Sequence, residues 1–303
     1  MSIILREPNS SGTVVEFALD RVVYQSRTEH QELLIADTKS FGRTLFLDGV
    51  VQSCERDEAM YHETLVHPGM LAHGAPRRVL VGGTGEGASV REVLRHPEVA
   101  RVVTCDLDDE VVRAVREHMP GLEAGALSDP RVDYRVADIA DVIDDSEDGA
   151  YDVVILDITD PMEDGPAMAL HSVSWYRRVA RVLAEDGVLI VQSGEMDVLD
   201  MPLPRAVRST LLEVFPWTHL LHHYVPSFHA FWTFTLAARR PKELLPDDLA
   251  ERIARLAGTR VYTEVAHRKM IELPPYLVPA LQQPVPPIQD PSDVPLYTGA
   301  RKP

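Results

Sequence analysis

The spacing of apolar and polar positions divides the chain into four stretches. Between Val14 and Gln52 the runs 21–25 (RVVYQ), 32–36 (ELLIA) and 43–47 (RTLFL) are short and β-prone, and polar, Gly-containing turns such as 37–42 separate them. Asp48-Gly49 gives a hairpin turn before Val50-Val51-Gln52, so this stretch predicts a small antiparallel sheet. Over 57–71 the period changes: Met60, Leu65, Met70 and Leu71, with His62, Glu63 and His67 between them, predict a helix carrying polar groups on one side. Gly74-Ala75-Pro76 ends it and places a domain boundary near residue 75.

Beyond that boundary, strand and helix patterns alternate. The run 79–81 enters a glycine loop at 82–87, followed by a helix through 91–95; 102–105 ends in Asp106-Leu107-Asp108, followed by a helix to Met119; 132–136 ends at Asp138. The apolar strand Val153-Val154-Ile155-Leu156 stops in Asp157-Ile158-Thr159-Asp160-Pro161, where proline forbids continuation of the ladder. A helix over 175–183 and a strand over 187–192 follow, and 219–224 and 231–237 predict an antiparallel end to the sheet. Strands that stop at acids or glycines, with helices between them, imply right-handed βαβ crossovers. The predicted fold class is α/β: a small N-terminal antiparallel β domain with its connecting helix (1–75), then a Rossmann-like, methyltransferase-type, mostly parallel sheet flanked by helices (76–303). From Pro274 the chain is proline-rich without period and reads as an extended tail, packed on the surface or partly loose.

Charge and composition narrow the function. With 30 Lys and Arg against 47 Asp and Glu, the net charge of −17 excludes a phosphate-binding basic face, and nucleic acid is not an expected partner. Acidity suits a cationic substrate, and it equally serves solubility. No apolar run approaches the roughly 18 residues of a membrane span, and the N-terminus lacks a basic region followed by an apolar one, so a cytoplasmic protein without membrane attachment is expected. Cys54 and Cys105 are too few for a disulfide framework and lack metal spacing, and they are expected to be reduced.

The chemistry is carried by the strand ends. Gly83-x-Gly85-x-Gly87 after a strand lets backbone approach a ligand closely, yet its spacing is not G-x-G-x-x-G, and Glu86 would repel a pyrophosphate at the following helix. A ligand neutral or cationic at that point fits better, such as a sulfonium nucleoside with an amino group. Asp106 is placed to accept from ribose hydroxyls, and Asp138 from an adenine amino group. The same residues fit an ordinary methyltransferase. Moving an alkyl group onto a protonated amine, however, needs anions to hold the cation and a base to remove its proton, and Asp157 with Asp160 supplies such a pair.

Read together, Leu47-Asp48-Gly49-Val50-Val51-Gln52, Glu55-Arg56-Asp57-Glu58, Tyr61-His62-Glu63, Gly83-Thr84-Gly85-Glu86-Gly87, Asp106-Leu107-Asp108 and Asp157-Ile158-Thr159-Asp160-Pro161 resemble the polyamine aminopropyltransferases, the spermidine synthase family. The resemblance runs from about Val22 to about Leu236. It implies transfer of the aminopropyl group of decarboxylated S-adenosylmethionine to a polyamine, with release of 5′-methylthioadenosine and with no metal and no resident cofactor. By this resemblance Asp157 is the base, and Tyr61, His62, Asp160, Gln192, Tyr224 and Phe228 line the amine site. Glu86 holds the amino end of the aminopropyl group, while Gln31, Gln52, Gly83, Gly85, Asp106, Asp138, Ile139 and Pro166 surround the methylthioadenosine portion.

Three departures bear on the acceptor. Thr84 stands where the family commonly has a third glycine and Glu86 where many members have Asp; Phe228, followed by Trp232, stands where putrescine-specific members carry a pocket-closing tyrosine. This looks more like the thermospermine synthase branch and the branch using agmatine or triamines, since a lost hydroxyl removes one partner for the far ammonium of a short diamine. Alternatives are an S-adenosylmethionine-dependent methyltransferase and a non-catalytic polyamine-binding protein on the same fold. His67, His73, His96 and His118 read as surface or satisfied core residues, Trp175 and Trp217 as core, and 144–148 (DDSED) as a solvated loop. An apolar N-terminal β module is a natural assembly surface, so a homodimer or homotetramer is expected.

Overall fold

A computed structural model describes residues 3–8, 13–162, 165–196 and 201–296. The N-terminal sheet is an antiparallel meander of β1 (Ile3–Pro8), β2 (Val14–Arg27), β3 (Glu32–Thr38), β4 (Gly42–Leu47) and β5 (Val50–Cys54), paired in chain order. Asp48 (φ 49°) and Gly49 (φ 80°) both take positive φ at the β4–β5 turn, as a two-residue hairpin matched to strand twist requires. The edge strand β1 lay outside the sequence expectation. Its Ile3 and Ile4 are exposed, so there is no buried stripe to reveal it.

Helix α1 (Glu58–His73) leads into the second sheet, formed by β6 (Arg78–Gly82), β7 (Arg101–Asp106), β8 (Val132–Val136), β9 (Tyr151–Leu156), β10 (Leu183–Glu195), β11 (Trp217–Val225) and β12 (Ala230–Ala238). Its order is β11-β12-β10-β9-β6-β7-β8, with β6 to β10 parallel and β12 antiparallel to both β10 and β11. The central strands are covered on both faces, which explains their unbroken apolar runs. Val79, Val81, Val153 and Ile155 point to the face covered by α1 and α2 (Ala88–Leu94); Leu80, Val154 and Leu189 point to α4 (Ile139–Asp145), α5 (Val173–Val182) and α6 (Pro202–Leu212). The two sheets meet through α3 (Asp109–His118), whose Val111, Ala114 and Val115 pack on Leu33, Ile35, Leu45 and Leu47.

In helix α1 the polar residues Glu58, His62, Glu63 and His67 are all buried, and Gly69 lies so close to β10 that a Cβ there would sit 2.4 Å from Ile190. Two expectations are corrected. The 144–148 run is not wholly loop, because Asp144 and Asp145 end α4 and Asp144 pairs with Arg178 at 2.6 Å. The proline-rich segment is not an extended surface tail. After α7 (Leu249–Ala254) and α8 (Glu264–Ile271) it forms α9 (Val278–Gln282), buries Leu281 and Ile288, and ties the Ile288 carbonyl to the Val173 amide at 2.9 Å. Residues 297–303 of that segment lie outside the described residues.

Candidate active site

The strand order reverses on either side of β6, and a cavity of about 320 Å³ opens there, beyond the carboxyl ends of β6 and β9. Gly83 (φ 87°) makes the turn out of β6; a Cβ on it would lie 2.0 Å from the Asp157 carbonyl oxygen, so only glycine lets the two strand ends approach. Gly85 (φ 46°) donates its amide to Asp106 Oδ2 at 2.7 Å, and its missing Cβ faces open cavity. Asp106 Oδ1 accepts the Asp108 amide at 2.9 Å, while burial pushes the Asp106 carboxyl upward against these two bonds. Asp138 caps α4 by accepting the Ala140 amide at 2.8 Å, with Ile139 beside it in the cavity wall.

The N-terminal sheet closes this half of the cavity. Gln31 Nε2 donates to Asp108 Oδ2 at 2.9 Å and Thr28 Oγ1 donates to the same oxygen at 2.7 Å, so the loop before β3 is fastened to the loop after β7. Gln52 lines the cavity from β5 and bonds its own strand at the Val50 carbonyl.

The other half gathers carboxylates, a histidine and aromatic rings. Tyr61 Oη donates to Asp157 Oδ1 at 2.7 Å and Ser89 Oγ to Oδ2 at 2.6 Å. Burial raises the Asp157 carboxyl above the ordinary range; the His62 charge opposes that rise and Glu86 adds to it. His62 is held between two carboxylates, with Nδ1 2.9 Å from Glu58 and Nε2 3.0 Å from Glu86. Burial alone would raise Glu86, but the charge and hydrogen bond of His62 outweigh it and leave Glu86 below its usual value. Asp160 is pushed up to about 6 by burial, against a 2.9 Å bond from Gln192 Nε2. Phe228 and Trp232 complete the wall, with ring centroids 4.8 Å apart, and Tyr61 stands 5.9 Å from Phe228. Among the described residues the arrangement offers three carboxylates along an aromatic-lined channel and no Lys or Arg in its lining. It can hold a positively charged chain and take a proton from it.

Comparisons with known proteins agree with this geometry. Residues 58–245 match the spermine/spermidine synthase domain, and residues 4–55 the spermidine synthase tetramerisation domain. The chain belongs to the spermine/spermidine synthase family. Relatives include polyamine aminopropyltransferase 2 of Pseudomonas aeruginosa, 44% identical over 222 residues that cover 73% of this chain and 63% of that protein. The polyamine aminopropyltransferase of Moorella thermoacetica is 35% identical over 279 residues, covering 92% of this chain and 96% of that one. Among solved structures, spermidine synthase from Thermotoga maritima superposes with a TM-score of 0.84 at 26% identity, covering 92% of this chain and 94% of that chain. A spermidine synthase in complex with the transition-state analogue AdoDATO reaches 0.85.

Of the residues singled out from the sequence, Gln31, Gln52, Tyr61, His62, Gly83, Gly85, Glu86, Asp106, Asp138, Ile139, Asp157, Asp160, Gln192 and Phe228 all line the one cavity. Tyr224 does not. It is 42% exposed on β11, with its ring against Phe231, because it points away from the side that the following turn, Pro226–Phe228, presents to the cavity. Pro166 opens the 3-10 turn Pro166–His171, and its side chain lies outside the described residues. Sequence reasoning missed Ser89, which touches Asp157, and Glu58, which holds His62 and is itself paired with Arg91 at 2.9 Å and with Arg260. His67 and His96 are satisfied core residues as expected, joined at 3.1 Å to each other and, through His67, to Glu92. Among the described residues no group of three His, Cys, Asp or Glu side chains is placed to hold a metal ion, and no helix is long and apolar enough to cross a membrane.

Proposed function

We propose that this chain transfers the aminopropyl group of decarboxylated S-adenosylmethionine to a polyamine and releases 5′-methylthioadenosine, with Asp157 as general base. The observation that carries the reading is the position of Asp157: a carboxylate at the switch point, oriented by Tyr61 and Ser89, beside the Glu86–His62 pair. The nucleoside would occupy the half of the cavity bounded by Gln31, Gln52, Asp106 and Asp138, leaving the sulfonium near Glu86. Asp157 takes one proton from the acceptor ammonium. The freed lone pair attacks the carbon attached to sulfur, the carbon–sulfur bond breaks, and its electron pair returns to sulfur as the neutral thioether. A carboxyl raised by burial is a better proton acceptor than an ordinary one, and alignment of amine behind the reacting carbon supplies much of the rate. Asp160, held by Gln192, would anchor the acceptor's positive charge.

For the acceptor we propose a longer or guanidinylated amine over putrescine, because the aromatic wall offers Phe228 where a hydroxyl would hold the far end of a short diamine. Assembly would run through the N-terminal sheet, whose edge strand exposes Ile3 and Ile4. A mass-spectrometric assay with putrescine, agmatine, cadaverine and spermidine, each with intact or decarboxylated donor, tests both points. Methyl transfer from the intact donor refutes the aminopropyl reading, and a strong preference for putrescine refutes the acceptor assignment. Asp157→Asn should abolish transfer while methylthioadenosine still binds.

A further inference from the structure

Asp157 is held at both of its oxygens, and the second holder comes from an element the family resemblance did not single out. Its backbone is already fixed: the Asp157 amide donates to the Gly82 carbonyl at 2.8 Å, and its own carbonyl fills the space that a Gly83 side chain would need. The carboxylate plane is a separate matter, since rotation about an sp³–sp² bond has a broad, shallow profile. Tyr61, from α1, bonds Oδ1; Ser89, from the first turn of α2, bonds Oδ2. Ser89 is 1% exposed, so no water replaces its hydroxyl if the side chain is cut back. The other groups facing this carboxylate are His62 from α1, Glu86 from the glycine loop and Asp160 three residues along its own loop; only His62 favours the anion.

We propose that Ser89 is a positioning residue for the transfer reaction, locking the plane of the Asp157 carboxylate and holding it ready as an anion. The proposal rests on Asp157 being the base. When the acceptor's proton arrives on one carboxylate oxygen, that oxygen becomes a donor, and a hydroxyl can answer by turning from donor to acceptor. Serine at this place therefore serves both states of the base, which an apolar residue of similar size cannot. Removing the hydroxyl leaves Oδ2 without its bond and shifts the balance towards the protonated form.

The test uses the full chain with decarboxylated donor and its best amine, comparing wild type, Ser89→Ala, Ser89→Thr and Asp157→Asn. Ser89→Ala should move the acid limb of kcat/KM to higher pH by about one unit, with the donor KM unchanged. Ser89→Thr should return the limb to its original place. A limb that stays put in a folded Ser89→Ala protein, or a threonine variant indistinguishable from alanine, overturns the proposal. If Ser89→Ala lowers Tm enough to unfold the protein, Ser89→Cys keeps the size with a weaker donor, and an unmoved limb there overturns it equally. Asp157→Asn separates the two levels: if that variant still transfers, the base assignment fails and takes Ser89's role with it. If it is dead while the Ser89 limb is unmoved, only the role of Ser89 fails.

Discussion

Two glycines of the same loop should lose stability to alanine by very different amounts. At Gly83 the φ of 87° carries a left-handed penalty of about 1–2 kcal/mol for any L side chain, and the new Cβ would stand 2.0 Å from a backbone oxygen that cannot swing aside. Relieving that overlap means displacing the end of β9, a strain of about 1–3 kcal/mol, so Gly83→Ala should cost about 2–5 kcal/mol. Gly85, at φ 46°, has the left-handed penalty alone, because a Cβ there meets nothing within 4 Å. Its alanine should cost ~1 kcal/mol. Differential scanning calorimetry reads this as a Tm loss of roughly 3–8 °C for Gly83→Ala and roughly 1.5 °C for Gly85→Ala. Kinetics should separate them again: moving Asp157 by an ångström lowers kcat about 100-fold, whereas a methyl in the cavity beside Asp106 raises the donor KM and spares kcat. A Gly83→Ala protein that melts within ~2 °C of wild type, or one that keeps kcat, refutes the close-approach argument.

Three further outcomes follow from the site. Asp160, with its carboxyl at about 6, loses its charge as pH falls through that value, so the acceptor KM should climb below pH 6 while the donor KM holds. Because folding raises this carboxyl, its contribution favours the fold as pH drops, opposite to a salt-bridged acid; Asp160→Asn should flatten the KM profile, and a wild-type KM constant from pH 7.5 to 5 contradicts the anchor role. Glu58→Gln strips the buried partner of His62, Arg91 and Arg260 and should cost about 3–5 kcal/mol in urea denaturation; a loss under ~1 kcal/mol shows that the network does not depend on Glu58. Phe228→Tyr should raise the putrescine-to-spermidine ratio of kcat/KM by about ten-fold, measured by product mass, and an unchanged ratio removes Phe228 from acceptor choice.

The parallel sheet was legible because buried strands write themselves as unbroken apolar runs, and the site because each such run stops in a group that has to meet something. The burial of the charges on helix α1 was not legible, because only partners far along the chain, Glu86, Arg91, Glu92 and Arg260, make it tolerable. Ser89 is one small polar residue in a short helix and carries no pattern of its own. Tyr224 was misplaced because alternation along β11 sends it outward while the turn that begins two residues later brings Phe228 in. Helices α7 to α9 were unseen: at six, eight and five residues they are too short to build a readable period.

The hook of Thr28 and Gln31 on Asp108 bears on how such a protein can change by recombination. The small sheet and the large one look separable, each with its own strands and its own stretch of sequence, and a chimaera joined between β5 and α1 would seem a natural experiment. Yet the half of the cavity bounded by Gln31, Gln52, Asp106 and Asp138 is walled by both sheets, and the hook on Asp108 works beside the bonds from Tyr24 to Glu110 and from Arg43 to the His118 carbonyl. A foreign N-terminal sheet must arrive with matching donors at those positions, or the hybrid will inherit a large sheet whose cavity lacks one wall. The seam between the sheets is therefore a lock that the two halves have to change together.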